Sequence, residues 1–305
     1  MSKILILGTV AFDTIETPHG KEDRVLGGSA SYIGLSASQF DLQTSILSIV
    51  GDDFNSSFLN IFKSKNIDVT SIQRVIGEKT FFWSGRYSSN MNERETISTE
   101  LNVLANFDPQ VPESFKNADI LVLGNLAPSN QLSVINQLTN PTAFVVLDTM
   151  NFWMDNCLDD LLQVIRNVDI ITINEEEARQ LSGETSLSLA AKKIFNMGPS
   201  NIVIKKGEHG ALLFSDNKRF FVPAFPIEKV FDPTGAGDTF LGGFAGYLAK
   251  TKNYSFKNMK KAVVYGCLLA SFSVEKFGTK GLLNLDKVII NKRMQLFKRL
   301  IKDDM

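Results

Sequence analysis

The nine residues Asp232-Pro233-Thr234-Gly235-Ala236-Gly237-Asp238-Thr239-Phe240 combine a chain stop, a bare turn and a carboxylate. Asp-Pro ends whatever precedes it, because proline lacks an N–H and biases the residue before it away from helix. Gly235, Ala236 and Gly237 carry too little side chain to shield their backbone. Thr239 to Lys250 then has the apolar, glycine-dotted pattern of a helix packed closely on a neighbour. A small-residue turn opening a buried helix leaves several N–H groups unpaired and aimed at one point, where the helix dipole favours an anion. A carboxylate there repels a resting phosphate, so Asp238 needs a chemical reason. It fits a general base, taking a proton from a hydroxyl while the N–H groups hold a phosphoryl group in transfer. The same spacing also suits a plain glycine turn with Asp238 as the helix cap.

Three more polar residues follow apolar runs. Asp13 lies just past Ile4–Leu7, Asp148 just past Ala143–Leu147, and Asn174 just past Ile170–Ile173. Each alone suits a turn former or helix cap. Their recurrence at the same end of successive strands points to a site, because open α/β sheets bind ligands beyond the carboxyl ends of their strands. Gly27-Gly28 either lets backbone N–H groups approach a ligand or makes a tight turn before a helix. Asn174 and Glu177, one turn apart, share a helix face. An N-cap asparagine with first-turn acids would equally stabilise any helix. Lys205-Lys206-Gly207-Glu208-His209-Gly210 follows the run Ile202–Ile204, as a surface turn or a ligand loop.

The elements that must hold these residues are short apolar runs alternating with helical patterns. Ile4–Leu7, Thr44–Val50, Ile120–Leu123, Ala143–Leu147, Ile170–Ile173 and Ile202–Ile204 read as strands buried on both faces, the mark of a parallel sheet covered by helices. Helical patterns fall at Ser29–Phe40, Asp52–Lys65, Gln131–Leu138, Leu158–Asn167, Glu175–Leu181, Ser188–Asn196, Lys257–Lys276 and Asp286–Lys302. Phe81–Tyr87 breaks the pattern: it alternates and is aromatic, and Thr96–Val103 follows a polar loop. With the polar stretch Thr14–Arg24, these segments predict a small antiparallel sheet inserted into the α/β body. The charged tail Lys298–Met305 is expected to fray.

Composition narrows the partners. The chain has 305 residues, 32 basic and 33 acidic, for a net charge of −1, which argues against nucleic acid or an anionic membrane. No apolar run reaches the ~18–20 residues of a membrane span. The N-terminus reads as a first buried strand, not a signal peptide. Cys157 and Cys267 lack metal spacing and sit in apolar contexts, so free thiols in a reducing cytoplasm are expected. Two histidines make a histidine metal site or a Ser-His triad improbable.

The run DPTGAGDTFLGGF resembles the C-terminal signature of the ribokinase-like (PfkB-type) carbohydrate kinases, with Gly27-Gly28-Ser29-Ala30 and Asn174-Glu175-Glu176-Glu177 in matching order; the likeness spans about residues 3–290. It implies one three-layer α/β kinase domain over residues 1–305, with lid segments at about 14–26 and 78–103. It implies ATP-dependent phosphorylation of a small sugar at a hydroxymethyl group, with a nucleoside as alternative acceptor. A binding regulator with a dead site is the rival of another class, disfavoured by an intact Asp238. By resemblance, Asp13 and Gly27-Gly28 hold substrate hydroxyls. Ser31 and Tyr32 stand where the family usually has an asparagine, which leaves the hydroxyl pattern open. Asn151 is a further substrate candidate, and Trp153 either stacks on a ring or fills core. Asn174 and Glu177 would order the water shell of Mg2+. Lys205, Gly207, Gly210, Thr234, Ser273 and Gly278 would line the nucleotide, and Asp232 would sit near a monovalent cation such as K+. Arg86, Arg94, Phe81, Phe82 and Trp83 are lid candidates for covering substrate or for packing. Lids of the family often pair between subunits, so a homodimer through Phe81–Tyr87 is expected, against a monomer whose lid folds back on its own cleft.

Overall fold

The computed structural model describes residues 1–301. The chain begins with β1 (Lys3–Leu7), the hairpin β2 (Ala11–Thr17) and β3 (Gly20–Gly27), and helix α1 (Ser29–Ala37). β4 (Gln43–Gly51), α2 (Ser56–Ser64), β5 (Ile67–Asp68) and β6 (Ile72–Val75) lead to a second hairpin, β7 (Phe82–Tyr87) and β8 (Arg94–Glu100). The middle holds β9 (Ile120–Leu123), α3 (Pro128–Gln137), β10 (Phe144–Asp148), α4 (Asn151–Asn156), α5 (Leu158–Ile165), β11 (Ile170–Asn174), α6 (Glu175–Ser182) and α7 (Leu187–Phe195). β12 (Asn201–Lys205), β13 (Ala211–Ser215) and β14 (Lys218–Val222) complete the strands. α8 (Ala236–Thr251), α9 (Phe256–Ser273), α10 (Lys280–Leu283) and α11 (Lys287–Ile301) follow.

β12, β11, β10, β9, β1, β4 and β5 lie side by side, all parallel. The hairpin β13–β14 extends one edge antiparallel. The apolar runs are continuous because successive side chains enter different cores. Ile4, Ile6, Ile46, Val122 and Val146 face α1, α8 and α9, whereas Leu5, Leu7, Leu47, Leu121 and Val145 face α3, α5 and α7. The lid segments form a separate sheet, β3-β2-β7-β8. Both hairpins are antiparallel, but β2 and β7 join in parallel, a pairing that strand alternation does not encode.

Several boundaries differ from the sequence reading. α2 starts at Ser56 because Asn55 caps it, accepting from Ser57 N. The strands β13 and β14 and helix α4 were not expected. Lys298–Ile301 continue α11, and the rest of the tail expected to fray lies outside the described residues. Among the described residues, no helix is long and apolar enough to cross a membrane.

α8 is the element that matters most for the site. Its glycines replace side chains where backbone passes close by. A Cβ on Gly242 would collide with Ile33 O, and one on Gly246 would come 2.6 Å from the Phe40 ring. One on Gly243 would come 3.0 Å from Tyr265 O on α9. Ser36 Oγ donates to Thr239 O at 2.7 Å, pinning α1 to the first turn of α8. Gly242→Val should therefore force α1 and α8 apart. Urea unfolding should show a loss of at least ~2 kcal/mol, the scale of core overpacking. An unchanged midpoint would mean that the two helices are not held at this spacing.

Candidate active site

The first half of the site is built where β1 ends and the small sheet begins. Thr9 N donates to Ser29 Oγ at 3.0 Å, and Ser29 N donates to Thr9 Oγ1 at 2.9 Å, so the exit of β1 and the start of α1 hold each other. Between them Gly28 adopts φ 87°, which a side chain rarely tolerates, as the N-cap of α1. A Cβ on Gly27 would overlap the Asp13 carboxylate, so the diglycine is the floor on which Asp13 rests. β2 bulges between Asp13 and Ile15, which turns the acid inward. Burial pushes the Asp13 carboxyl up to about 7; the Gly28 N–H opposes the rise, the charges of Asp232 and Asp238 add to it, and Arg94 opposes it.

The turn before α8 forms the second half. Gly235 is its N-cap at φ 72°. Ala236 N donates back to Pro233 O at 3.2 Å and closes the Asp-Pro turn. Ala236 was expected to share in the anion hole, but its N–H is engaged. Among the described residues, the N–H groups of Gly235, Gly237 and Asp238 have no protein partner. That leaves three donors at the positive end of a sixteen-residue helix. Lys205 closes the other side: a Cβ on Gly237 would stand 3.3 Å from its Nζ. Asp148 holds that ammonium at 3.0 and 3.1 Å through both oxygens. Burial lowers Lys205, but the charges of Asp148, Glu177 and Asp238 outweigh it and hold the ammonium above its ordinary value. The Asp238 carboxyl, beside the cleft yet hemmed in by protein, is pushed up to about 7 by burial and by Asp148, against Lys205 and Arg94.

Asn174 and Glu177 form a reciprocal capping box on α6, Glu177 N to Asn174 Oδ1 at 2.8 Å and Asn174 N to Glu177 Oε2 at 2.7 Å. The cap reading and the site reading thus coexist, because the capped end faces Lys205. Burial takes the Glu177 carboxyl up to about 7, with Lys205 opposing and Asp148 adding. After β12, Lys206 pairs with Glu175 at 3.3 Å, and its N–H donates to Gly210 O. Gly207 has open space where a side chain would point. The loop is thus fixed at its base and clear on its outer side.

Asp232 stitches two segments together. Its oxygens accept from Thr234 N at 2.8 Å and Gly278 N at 2.7 Å, and Val274 O accepts from Phe231 N and Asp232 N. Each Asp232 oxygen accepts one of these N–H groups, so lone pairs remain on both for a monovalent cation. Thr234 Oγ1 meets the Tyr87 hydroxyl at 3.0 Å. Magnesium also fits. Asp148, Glu177 and Asp238 supply hard oxygens around one ammonium. Among the described residues, no three His, Cys, Asp or Glu side chains could hold a metal directly, so the ion would keep its waters.

Some expected residues are directed elsewhere. Ser31 Oγ donates to Gly27 O at 2.6 Å inside α1. Asn151 gives its amide to Gln180 on α6, and Ser273 Oγ donates to Ala270 O at 2.9 Å. Arg86 pairs with Glu16 at 2.9 Å on the outer face of the lid. Trp153 donates to Asn125 Oδ1 at 2.7 Å and packs against the core, and Phe82 packs against the other core. Tyr87 turns inward instead, and Arg94, opposite it in the β7–β8 register, remains exposed at the mouth of the site. Arg94 bears on Asp13 and Asp238, and its guanidinium lies 5.3 Å from the Trp83 ring centre. The alternation of Arg86 and Tyr87 in an aromatic strand was the signal for this.

A family profile described as "pfkB family carbohydrate kinase" matches residues 1–285. The chain is similar to a cytidine kinase of Thermococcus kodakarensis, 29% identical over 254 residues that cover 81% of this chain and 89% of the relative. It is similar to a ribokinase of Staphylococcus aureus, 24% identical over 306 residues, covering 93% and 97%. Its fold is like that of a putative ribokinase II from E. coli solved with ATP and Mg2+, with TM-score 0.79, 19% identity, and 97% and 100% of the two chains covered.

The raised Asp238 carboxyl has a stability consequence. The fold holds its proton up to about pH 7, whereas an unfolded aspartate loses it near 3.8. Between those values the folded state binds the extra proton, so stability falls as pH rises through this window. Asp238→Asn removes that penalty. Its melting temperature should exceed the parent's above pH 7 and converge with it near pH 4. An equal offset at both pH values would mean that the carboxyl is not strained by burial.

Proposed function

The chain belongs to the pfkB family of carbohydrate kinases, and on that premise we propose that it moves the γ-phosphoryl group of ATP onto the hydroxymethyl group of a ribofuranosyl acceptor, a nucleoside ahead of a free sugar. The observation that carries the reading is the half-buried Asp238 carboxyl beside three N–H groups without a partner among the described residues and the Lys205 ammonium. The acceptor preference is supported by the relatives, one named a cytidine kinase and one a ribokinase, whose substrates share the ribose unit. The second name keeps free ribose as the alternative.

In this reading Asp13 and the Gly28 backbone orient the acceptor with its hydroxymethyl oxygen toward Asp238. Asp238 takes the hydroxyl proton as that oxygen bonds to the γ-phosphorus and the bond to the β-phosphate oxygen breaks, releasing ADP. The N–H groups of Gly235, Gly237 and Asp238, with Lys205, face the charge of the group in transfer. Asp148 keeps Lys205 in place. Mg2+, held through its waters by Glu177 and the neighbouring acids, would neutralise charge on the phosphates. The loop from Lys206 to Gly210 would border the nucleotide. Tyr87 and Arg94 bring the lid over the acceptor and exclude water.

Two finer readings accompany this. ATP chemistry and the free cysteines Cys157 and Cys267 suit the cytoplasm. A homodimer through the lid is favoured by β8, an edge strand with Ile97 at 52% exposure and Leu101 close behind at 53%.

Cytidine, adenosine, inosine, ribose and fructose, each with ATP and Mg2+, form the first assay. A riboside should release ADP fastest. On that acceptor Asp238→Asn should lose ~10²–10⁴ in kcat, the range for a lost general base, with acceptor binding by thermal shift little changed. A variant that keeps more than a third of parental kcat would remove Asp238 from the role. For the lid, sedimentation at micromolar concentration should give twice the 33.8 kDa chain mass. A monomer would refute the dimer, and a dimer unaffected by Ile97→Asp would place its interface elsewhere.

A further inference from the structure

The turn after β4 grips the small sheet through two neighbouring acids. Asp52 N donates to Glu78 O at 2.9 Å, and Gly77 N donates to the Asp52 carboxylate. A Cβ on Gly51 would collide with Glu78 O, so the linker from β6 to β7 lies directly against this turn. Asp53 reaches further. Its Oδ1 accepts from Thr80 N at 2.8 Å and from Thr80 Oγ1 at 2.6 Å. Thr80 Oγ1 in turn accepts from Gly51 N at 3.0 Å. Thr80 is buried and stands two residues before β7. The other oxygen of Asp53, Oδ2, accepts from the Arg24 guanidinium on β3 at 2.7 Å. One carboxylate thus joins the body to both hairpins of the small sheet. Burial works against its charge, but Thr80 and Arg24 outweigh that and hold the carboxyl below its ordinary value.

Arg24 sits where the small sheet is irregular. Asp13 pairs with Val25 and Ile15 with Glu22, so Asp23 and Arg24 together oppose Thr14. Arg24 takes φ 50°, which a residue with a side chain seldom adopts, and its N–H donates to Thr14 Oγ1 at 3.1 Å. This is the bulge that turns Asp13 inward. The guanidinium lies 4.4 Å from the Phe12 ring centre and 5.8 Å from that of Phe82, over the seam where β2 and β7 pair in parallel. The Arg24–Asp53 pair is 50% and 28% exposed, and an ion pair so open to water adds little to stability. Its consequence is geometric, because it fixes the bulge and the seam to the turn after β4.

We propose that Arg24 and Asp53 are positioning residues, a clasp that holds the small sheet over the cleft during phosphoryl transfer. Arg24 acts through the bulge that carries Asp13. Asp53 acts through Thr80 and the strand that carries Tyr87. The proposal rests on the kinase reading above and deepens it by naming what keeps the cover, and with it the exclusion of water, in place.

The test uses Arg24→Met, which keeps the stem over Phe12, and Asp53→Asn, which keeps an oxygen for Thr80. With the fastest of the five acceptors, each variant should lose about tenfold in kcat/KM, the scale of a modest misplacement. KM for ATP should stay within twofold. ADP release without acceptor should rise at least threefold, because water reaches the phosphoryl group. Melting temperatures should stay within about 3 °C of the parent, as for an exposed pair. The double variant should be no worse than the poorer single one, since both break the same bond, and Arg24→Lys should recover most of the loss. Parental kcat/KM in both single variants overturns the clasp, as do additive losses in the double variant. A loss of activity matched by a fall in melting temperature of more than about 3 °C, without extra ADP release, makes the pair merely structural and overturns it too. A parent enzyme that consumes ATP with none of the five acceptors contradicts the kinase reading itself, and the clasp's role with it.

Discussion

One ammonium group sets the terms for the carboxyl end of the sheet. Lys205 is bonded to Asp148 through both oxygens, and its charge acts on Asp148, Glu177 and Asp238 together, with Arg94 adding at Asp238. Burying a carboxylate is costly unless it is paired. At all three acids burial outweighs that help, and Asp148 adds to the rise at the other two. The fold settles this by raising the acids, so that Glu177 and Asp238 titrate near neutrality. Asp238 is thereby brought into the range where a carboxylate is an effective general base. The poor compensation that weakens the fold is, on the proposed reading, what equips the site.

The rest of the structure serves to keep these groups close. Lys205 and Asp148 are the last residues of β12 and β10, and Asn174 is the last of β11 between them. Parallel strands deliver all three to one edge without any local instruction. α8 must then bring its N-terminus within reach of Lys205 from the opposite layer. Its glycines at 242 and 246 allow this by letting α1 approach to backbone distance. The Tyr32 ring under Gly235 fixes the height of the turn, and Asp232 ties that turn to Gly278. Phosphoryl transfer needs donors that are in place before charge develops, and close packing of α1, α8 and α9 provides that rigidity.

The frame and the open turn before α8 were legible in the sequence because both depend on local features. Continuous apolar runs foretell strands covered on both faces, and Asp-Pro with three small residues foretells an open helix start. What escaped depends on direction and register. Nothing in the local sequence says that Ser31 and Asn151 bond to Gly27 and Gln180. Nor does it say that Ala236 closes its own turn and leaves the donors to Gly235, Gly237 and Asp238. The inward Tyr87 and the Arg94 opposite it follow from the register of two lid strands, and Asp13 from a bulge in a third. The hairpin β13–β14 was missed because it follows a glycine loop that reads as a surface turn or a ligand loop without fixing what comes after it.

Asp238 must work as a base with a strongly raised pKa for this site to transfer a phosphoryl group as proposed. The direct measurement is kcat/KM for the fastest acceptor as a function of pH, at saturating Mg-ATP in the parent enzyme. If the carboxyl titrates at about 7 in the enzyme that meets the acceptor, kcat/KM should fall about tenfold per pH unit below that value, and level off above it. A profile that stays flat from pH 8 down to pH ~5, near where an ordinary carboxylate begins to titrate, would contradict the central claim.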